Sequence, residues 1–203
     1  LVGAFVTAVI QSSSATTVMV VGFVNAGLMN IYQAVGIIMG ANVGTTITGQ
    51  LVALNISQLA PIIAFIGFIL NSFSNKERKA FLGKSIMGLG FLFMGMEFMS
   101  KAMEPLREYP GFVTLMTKFE NPILGVLAGA TITAIIQSSS ASLGILQAIA
   151  NQGVISLRSS MFIVFGFNIG TCITSILSSI GSSKNARRTA LAHVLFNIIG
   201  TII

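Results

Sequence analysis

Two short polar runs carry the side chains that could bind a ligand, and the chain contains both of them twice. Gln11-Ser12-Ser13-Ser14-Ala15 returns 126 residues later as Gln137-Ser138-Ser139-Ser140-Ala141. Gly40, Asn42, Gly44, Thr45 and Thr48 return as Gly166, Asn168, Gly170, Thr171 and Thr174. At that offset 20 of the 49 positions between Gly3 and Leu51 are identical. Serine is a preferred helix cap, its hydroxyl can donate to an oxyanion, and a helix N-terminus presents free N–H groups and the positive end of the helix dipole. The serines Ser12, Ser13, Ser14, Ser138, Ser139 and Ser140, with the amides of Gln11 and Gln137, therefore form a candidate anion site. Asn42, Thr45, Thr46, Asn168 and Thr171 supply neutral oxygens suited to a small cation such as Na⁺, with Thr16 and Ser142 as supporting hydroxyls. The tips could serve both ions. No Lys or Arg lies inside either cluster, so a divalent anion held there needs co-bound cations to offset its charge.

These polar runs sit in apolar surroundings. Of 203 residues 54% are hydrophobic and 8% charged, with a mean hydropathy of +0.90. Soluble domains carry about a quarter charged residues. The expectation is an all-α integral membrane protein, because the apolar runs suit helices rather than barrel strands. The net charge of +6 comes from cations in short loops, which points to membrane topology rather than nucleic acid. A lone cysteine, Cys172, excludes an internal disulfide or a thiolate cluster. It lies over Thr46 and reads as a small neutral helix residue. Both ends, Leu1 and Ile203, fall inside apolar runs, so the chain reads as a fragment.

The elements that must position the polar runs follow in order. Residues 1–27 read as a re-entrant helical hairpin, because the arms on either side of Gln11–Ser14 are each too short to cross about 30 Å. Residues 31–54 read as a transmembrane helix interrupted at Gly40–Thr46, the pattern of a discontinuous helix; close helix packing through small residues is the alternative. A span over 59–73 completes the first repeat. Residues 74–120 hold a basic loop (Lys76, Arg78, Lys79), a linking span at 85–103 and an interfacial connector. The second repeat, 121–203, has a hairpin at 122–153, a broken helix at 157–180, a basic loop at Gly181–Arg188 and a span at 189–203 that the fragment truncates. Three spans between the hairpins make the repeats inverted and place both basic loops on one side, in keeping with the positive-inside bias. Crossing segments in place of hairpins would separate those loops.

Gln11–Thr17, Gly40–Thr46, Gln137–Ala141 and Asn168–Cys172 together resemble the sodium-dependent phosphate cotransporter type II family, as do Gly88–Met99 and Ala186–Asn197. The resemblance covers nearly the whole chain. It implies Na⁺-coupled transport of inorganic phosphate, paired hairpins and broken helices around the site, elevator-like movement and a multi-pass place in the plasma or inner membrane. Na⁺ is then a co-transported ion and no organic cofactor is expected. Besides phosphate and Na⁺ the partner is the lipid bilayer, and a homodimer is left open.

Other residues read more plainly. Glu97 is expected to pair with Lys101 four residues on. His193 is expected to pack between helices or lie at the interface rather than couple protons, and the Met and Phe residues to face lipid or pack rather than form a cofactor site. No carboxylate pair, Ser/His/Asp set or lysine-bearing phosphate loop is present, so no enzyme is expected. Rival readings are a carrier for sulfate or a carboxylate, an ion channel, and a scaffold that keeps the repeat for packing.

Overall fold

The chain is described by a computed structural model covering residues 1–54, 56–74 and 76–203. Asn55 and Asn75, where the predicted uncharged turn and first basic loop begin, lie outside the described residues. Among the described residues ten α-helices follow one another: α1 (Val2–Ile10), α2 (Ser13–Asn25), α3 (Ile31–Ala53), α4 (Ala60–Ser72), α5 (Glu77–Met103), α6 (Pro110–Lys118), α7 (Pro122–Ile136), α8 (Ser139–Asn151), α9 (Leu157–Ser178) and α10 (Lys184–Ile202). The described residues contain no strand. α3, α5 and α9 are long and apolar enough to cross a membrane. Large apolar side chains stay exposed along α1 (Phe5, Val9), α4 (Phe65, Phe68) and α7 (Leu127, Ile135), as lipid-facing surfaces require.

Each serine run breaks a helix where the sequence predicts. α1 stops at Gln11, which adopts the left-handed region at φ 59°, and α7 stops at Gln137 with the same φ. These are the two non-glycine residues with positive φ among those described. Glycine is the usual residue there, so both sites carry backbone strain. In each case the glutamine N–H caps the helix, donating to Thr7 O or Thr133 O at 2.7 Å. The next residue is extended and caps the second arm: Ser12 Oγ accepts from Ala15 N–H at 3.1 Å, and Ser138 Oγ from Ala141 N–H at 3.2 Å. The arms then fold back on each other. Thr7 Oγ1 donates to Thr16 Oγ1 and Thr133 Oγ1 to Ser142 Oγ, both at 2.9 Å and both buried. In one continuous helix residues nine apart would lie about 13 Å from each other along the axis. With nine residues α1 is about 14 Å long, and α2 with thirteen is about 20 Å.

The long helices are not broken, which corrects the expectation drawn from Gly40–Thr46 and Gly166–Thr171. α3 runs helical from Ile31 to Ala53 and α9 from Leu157 to Ser178. The glycines serve close packing instead. A Cβ on Gly44 would lie 2.7 Å from Thr7 Cβ, and one on Gly170 would lie 2.7 Å from Thr133 Cβ. A Cβ on Gly3 would collide with the Ile37 carbonyl, and one on Gly129 with the carbonyl of Ile163, Ile37's counterpart. The threonines there return their hydroxyls to the helix: Thr45 to Ala41 O, Thr46 to Val43 O, Thr171 to Phe167 O. Small residues draw the backbones together, and dispersion gains from that contact replace any need to unwind. No unwound carbonyls are therefore available as cation ligands at these positions.

The repeat is thus a structural one: α1 packs on α3 as α7 packs on α9. α2 also meets α9 and α8 meets α3, so each hairpin's second arm touches the other repeat's long helix. Beyond this the repeats differ. α4 lies along α5 through Gly67, Gly83 and Gly90, whereas α10 lies against α2, α3 and α9.

Several boundaries move. α5 begins at Glu77 and α10 at Lys184, so Arg78, Lys79, Lys184, Arg187 and Arg188 lie within the first five residues of helices rather than in loops. Ser183 Oγ caps α10 by accepting from Ala186 N–H at 3.3 Å. α4 has 13 residues, about 20 Å, short of a hydrocarbon layer of about 30 Å. The connector at Glu104–Glu120 folds as a 3₁₀ turn and α6, and α6 meets α7 at 107°. Glu97 pairs with Lys101 at 2.7 Å as expected.

Candidate functional site

The duplicated polar residues come together where α8 begins and α3 passes. Asn42, Thr45, Thr46 and Gly49 of α3, Ser139, Ser140 and Leu143 of α8, and Val164, Phe167 and Asn168 of α9 line a cavity of about 190 Å³. Asn42 lies midway along α3 and Asn168 midway along α9, which is where a spanning helix passes the centre of a bilayer. Both repeats contribute, as do six of the residues singled out from sequence.

The cavity's donors come from the helix start. Ser139 and Ser140 occupy the first turn of α8, whose N–H groups have no intrahelical acceptor. Among the described residues their hydroxyls have no partner either. Ser138 is committed to capping, so it shapes the tip rather than facing the cavity. No ionised side chain lines the space. The positive end of the α8 dipole is the electrostatic feature aimed at it, a geometry favourable to an anion.

The acceptors come from α3 and α9. Asn42 Nδ2 donates to Asn197 Oδ1 at 2.6 Å, which leaves Asn42 Oδ1 as its free acceptor. Asn197 of α10 is in turn fixed by donating to His193 O at 3.0 Å and Cys172 Sγ at 3.2 Å. Asn197 also lines an adjoining cavity of about 270 Å³ with Asn42, Thr46, Asn168 and Thr201. Sequence reading did not single it out. A signal was present: at the repeat offset Asn197 lies over Asn71, in keeping with the other paired polar residues. His193 is buried and bonded to Ser175 Oγ at 3.0 Å through Nδ1, as a helix-packing residue.

The remaining candidates stand elsewhere. Thr16 and Ser142 are buried and tie each hairpin's arms together. Thr171 is buried, with its hydroxyl on Phe167 O at 2.7 Å. Ser13 is buried, Ser12 and Ser14 half-buried, and Gln137 exposed. Gln11 holds Ala8 O and Thr48. None of these lines the 190 Å³ cavity.

Comparison with known proteins agrees with the motifs. Residues 1–101 and 108–203 match the family described as Na+/Pi-cotransporter. YqeW of Bacillus subtilis (strain 168) is 36% identical over 195 residues, covering 96% of this chain and 63% of the relative. The "Putative inorganic phosphate export protein YjbB" of Escherichia coli (strain K12) is 32% identical over 202 residues, covering 99% of this chain and 37% of the relative. "Sodium-dependent phosphate transport protein 2B" of Homo sapiens is 29% identical over 133 residues, 60% of this chain and 19% of the relative. The chain thus spans less than two thirds of the length of these relatives. No solved structure matches it. With its doubled serine tips, its paired asparagines and a match from end to end, the chain belongs to the Na⁺/phosphate cotransporter family.

Proposed function

We propose that this chain forms the substrate-carrying part of a secondary active transporter that couples Na⁺ to inorganic phosphate. The observation that carries the reading is the cavity shared by both repeats at mid-helix depth. It offers free hydroxyls at a helix N-terminus, neutral oxygens, and no fixed positive charge. Phosphate would take the hydroxyls and N–H groups of Ser139 and Ser140, with Ser12, Ser13, Ser14, Ser138, Gln11 and Gln137 forming or shaping the two tips. Na⁺ would take side-chain oxygens of Asn42, Thr45, Thr46 and Asn168, with Thr171, Thr16 and Ser142 supporting the walls. A doubly charged anion in a site without Lys or Arg is stabilised only when cations enter with it. The coupling then follows from charge balance: an empty or fully loaded site is near neutral and can move, whereas a half-loaded one is not.

The two repeats would have inverted topology, with both hairpins re-entering from opposite faces, and movement of the hairpins with their long helices would expose the site alternately in an elevator-like manner. The names of the relatives favour phosphate in two ways. The human relative is named for sodium-dependent transport, the Escherichia coli relative for export. A Na⁺-coupled carrier runs in whichever direction its gradients dictate, so the second name also supports a rival: phosphate release without Na⁺ coupling.

Labelled phosphate flux in liposomes separates them. Flux should saturate with phosphate and fall to background when choline replaces Na⁺. Undiminished flux in choline would refute the coupling, and sulfate outcompeting phosphate would refute the substrate.

A further inference from the structure

The two tips share their backbone and differ in their glutamine side chains. Gln11 and Gln137 have nearly the same dihedrals, φ 59° with ψ 26° and φ 59° with ψ 21°. Both ends of the Gln11 amide are engaged. Nε2 donates to Ala8 O at 2.5 Å, and Oε1 accepts from Thr48 Oγ1 of α3 at 2.7 Å. Gln137 is exposed, and its side chain has no hydrogen bond among the described residues. Thr174 of α9, the counterpart of Thr48, donates to Thr171 O at 2.9 Å instead.

The surroundings differ in step. Ser13 and Thr17 of α2 are buried, as are Thr171, Cys172 and Ser175 of α9, the helix on which α2 packs, with Cys172 and Ser175 against His193 of α10. Their repeat counterparts are Ser139, Leu143, Thr45, Thr46 and Gly49. All five of those line the 190 Å³ cavity at the second tip. Equivalent positions are therefore sealed around one tip and open around the other, and the sealed tip is the one with its glutamine held.

We infer that Thr48 and Thr174 are positioning residues that latch their own repeat's tip glutamine, and that the latches close in alternation. The structure has the Gln11–Thr48 latch closed and the Gln137–Thr174 latch open. The alternate state has the pair exchanged, with the cavity at the first tip. Opening a latch strands no buried hydroxyl, because a helical threonine can turn to the carbonyl three residues back, as Thr174 does. The two arrangements are then close in energy, as a carrier that must visit both requires. This inference rests on the carrier reading above, but its test does not depend on transport.

Single cysteines at Ser14 or Ser140, on a Cys172→Thr background, are labelled with a water-soluble maleimide in detergent, where both faces are reachable. Thr48→Val should speed labelling at position 14 and slow it at 140, with the ratio of the two rates shifting about fivefold, the change in equilibrium expected for one hydrogen bond. Thr174→Val should do the opposite. Thr48→Ser, which keeps the hydroxyl, should restore the parent rates. Phosphate binding is measured separately on the parent chain and the Thr48 and Thr174 variants with Ser14 and Ser140 intact: reciprocal labelling in the cysteine series without phosphate binding in the intact parent would retain the latch and refute the phosphate reading. Both valine variants shifting labelling in the same direction, or Thr48→Ser behaving as Thr48→Val, would overturn the latch.

Discussion

Gly44→Ala is the substitution that tests most directly how the site is built. Gly44 lies in α3 against α1, and a Cβ there would stand 2.5 Å from Ala4 O and 2.7 Å from Thr7 Cβ. Carbon atoms in contact sit about 3.5–4.0 Å apart, so α1 must retreat by roughly 1 Å. Two terms oppose each other. Alanine in place of glycine favours the helix by about 1 kcal/mol, while overpacking a tight contact costs about 1–3 kcal/mol. The neighbours are backbone and the buried Thr7, which cannot swing aside, so the second term wins. The retreat also carries Gln11, at the end of α1, away from Thr48 and loosens the Thr7–Thr16 bond that closes the hairpin. A displacement near 1 Å at a positioning element costs on the order of a hundredfold in rate. Gly36→Ala is the internal control: it lies in the same helix, a Cβ there meets nothing within 4 Å, and the propensity gain is unopposed. Phosphate flux and thermal midpoint in detergent should both fall for Gly44→Ala, and the midpoint should hold or rise by a few degrees for Gly36→Ala. Equal behaviour of the two variants would refute close packing as the reason for the glycine pattern and would reopen the broken helix.

Further expectations follow from individual bonds. Ser139→Ala and Ser140→Ala each remove one free hydroxyl from the cavity and should raise the phosphate concentration for half-maximal flux about fivefold to tenfold with little change in thermal midpoint. Ser138→Ala should instead lower the midpoint, because it removes a helix cap at a cost of about 1 kcal/mol. Asn42→Ala and Asn197→Ala should each weaken the Na⁺ dependence of flux, and the double variant should be less than additive by about 0.5–3 kcal/mol, since the two amides form one bond; full additivity would separate Asn197 from the site.

Much of this protein was readable without coordinates. The composition sets the solvent, because a chain with so few charges cannot face water on all sides. The duplicated Gln-Ser-Ser-Ser run marks both hairpin tips, because serine caps and short arms are local properties that need no distant partner. The pairing of Glu97 with Lys101 is likewise set by spacing on one helix. The glycine-rich centres of α3 and α9 were misread for a physical reason. Glycine weakens a helix and also lets another backbone approach, and only the presence of α1 and α7 against those faces decides between the two. Asn197 joins the site because α10 packs on α3, a choice that its repeat counterpart α4 does not make. Most of all, the sequence repeats whereas the structure breaks the symmetry: Gln11 is held and Gln137 is free, although both stand in the same local sequence. That difference lies in tertiary contact: Gln11 reaches Thr48 of α3, 37 residues on, whereas Thr174 of α9 turns back to Thr171 O. Local sequence therefore determined what each half is made of, and tertiary packing alone decided which tip is open.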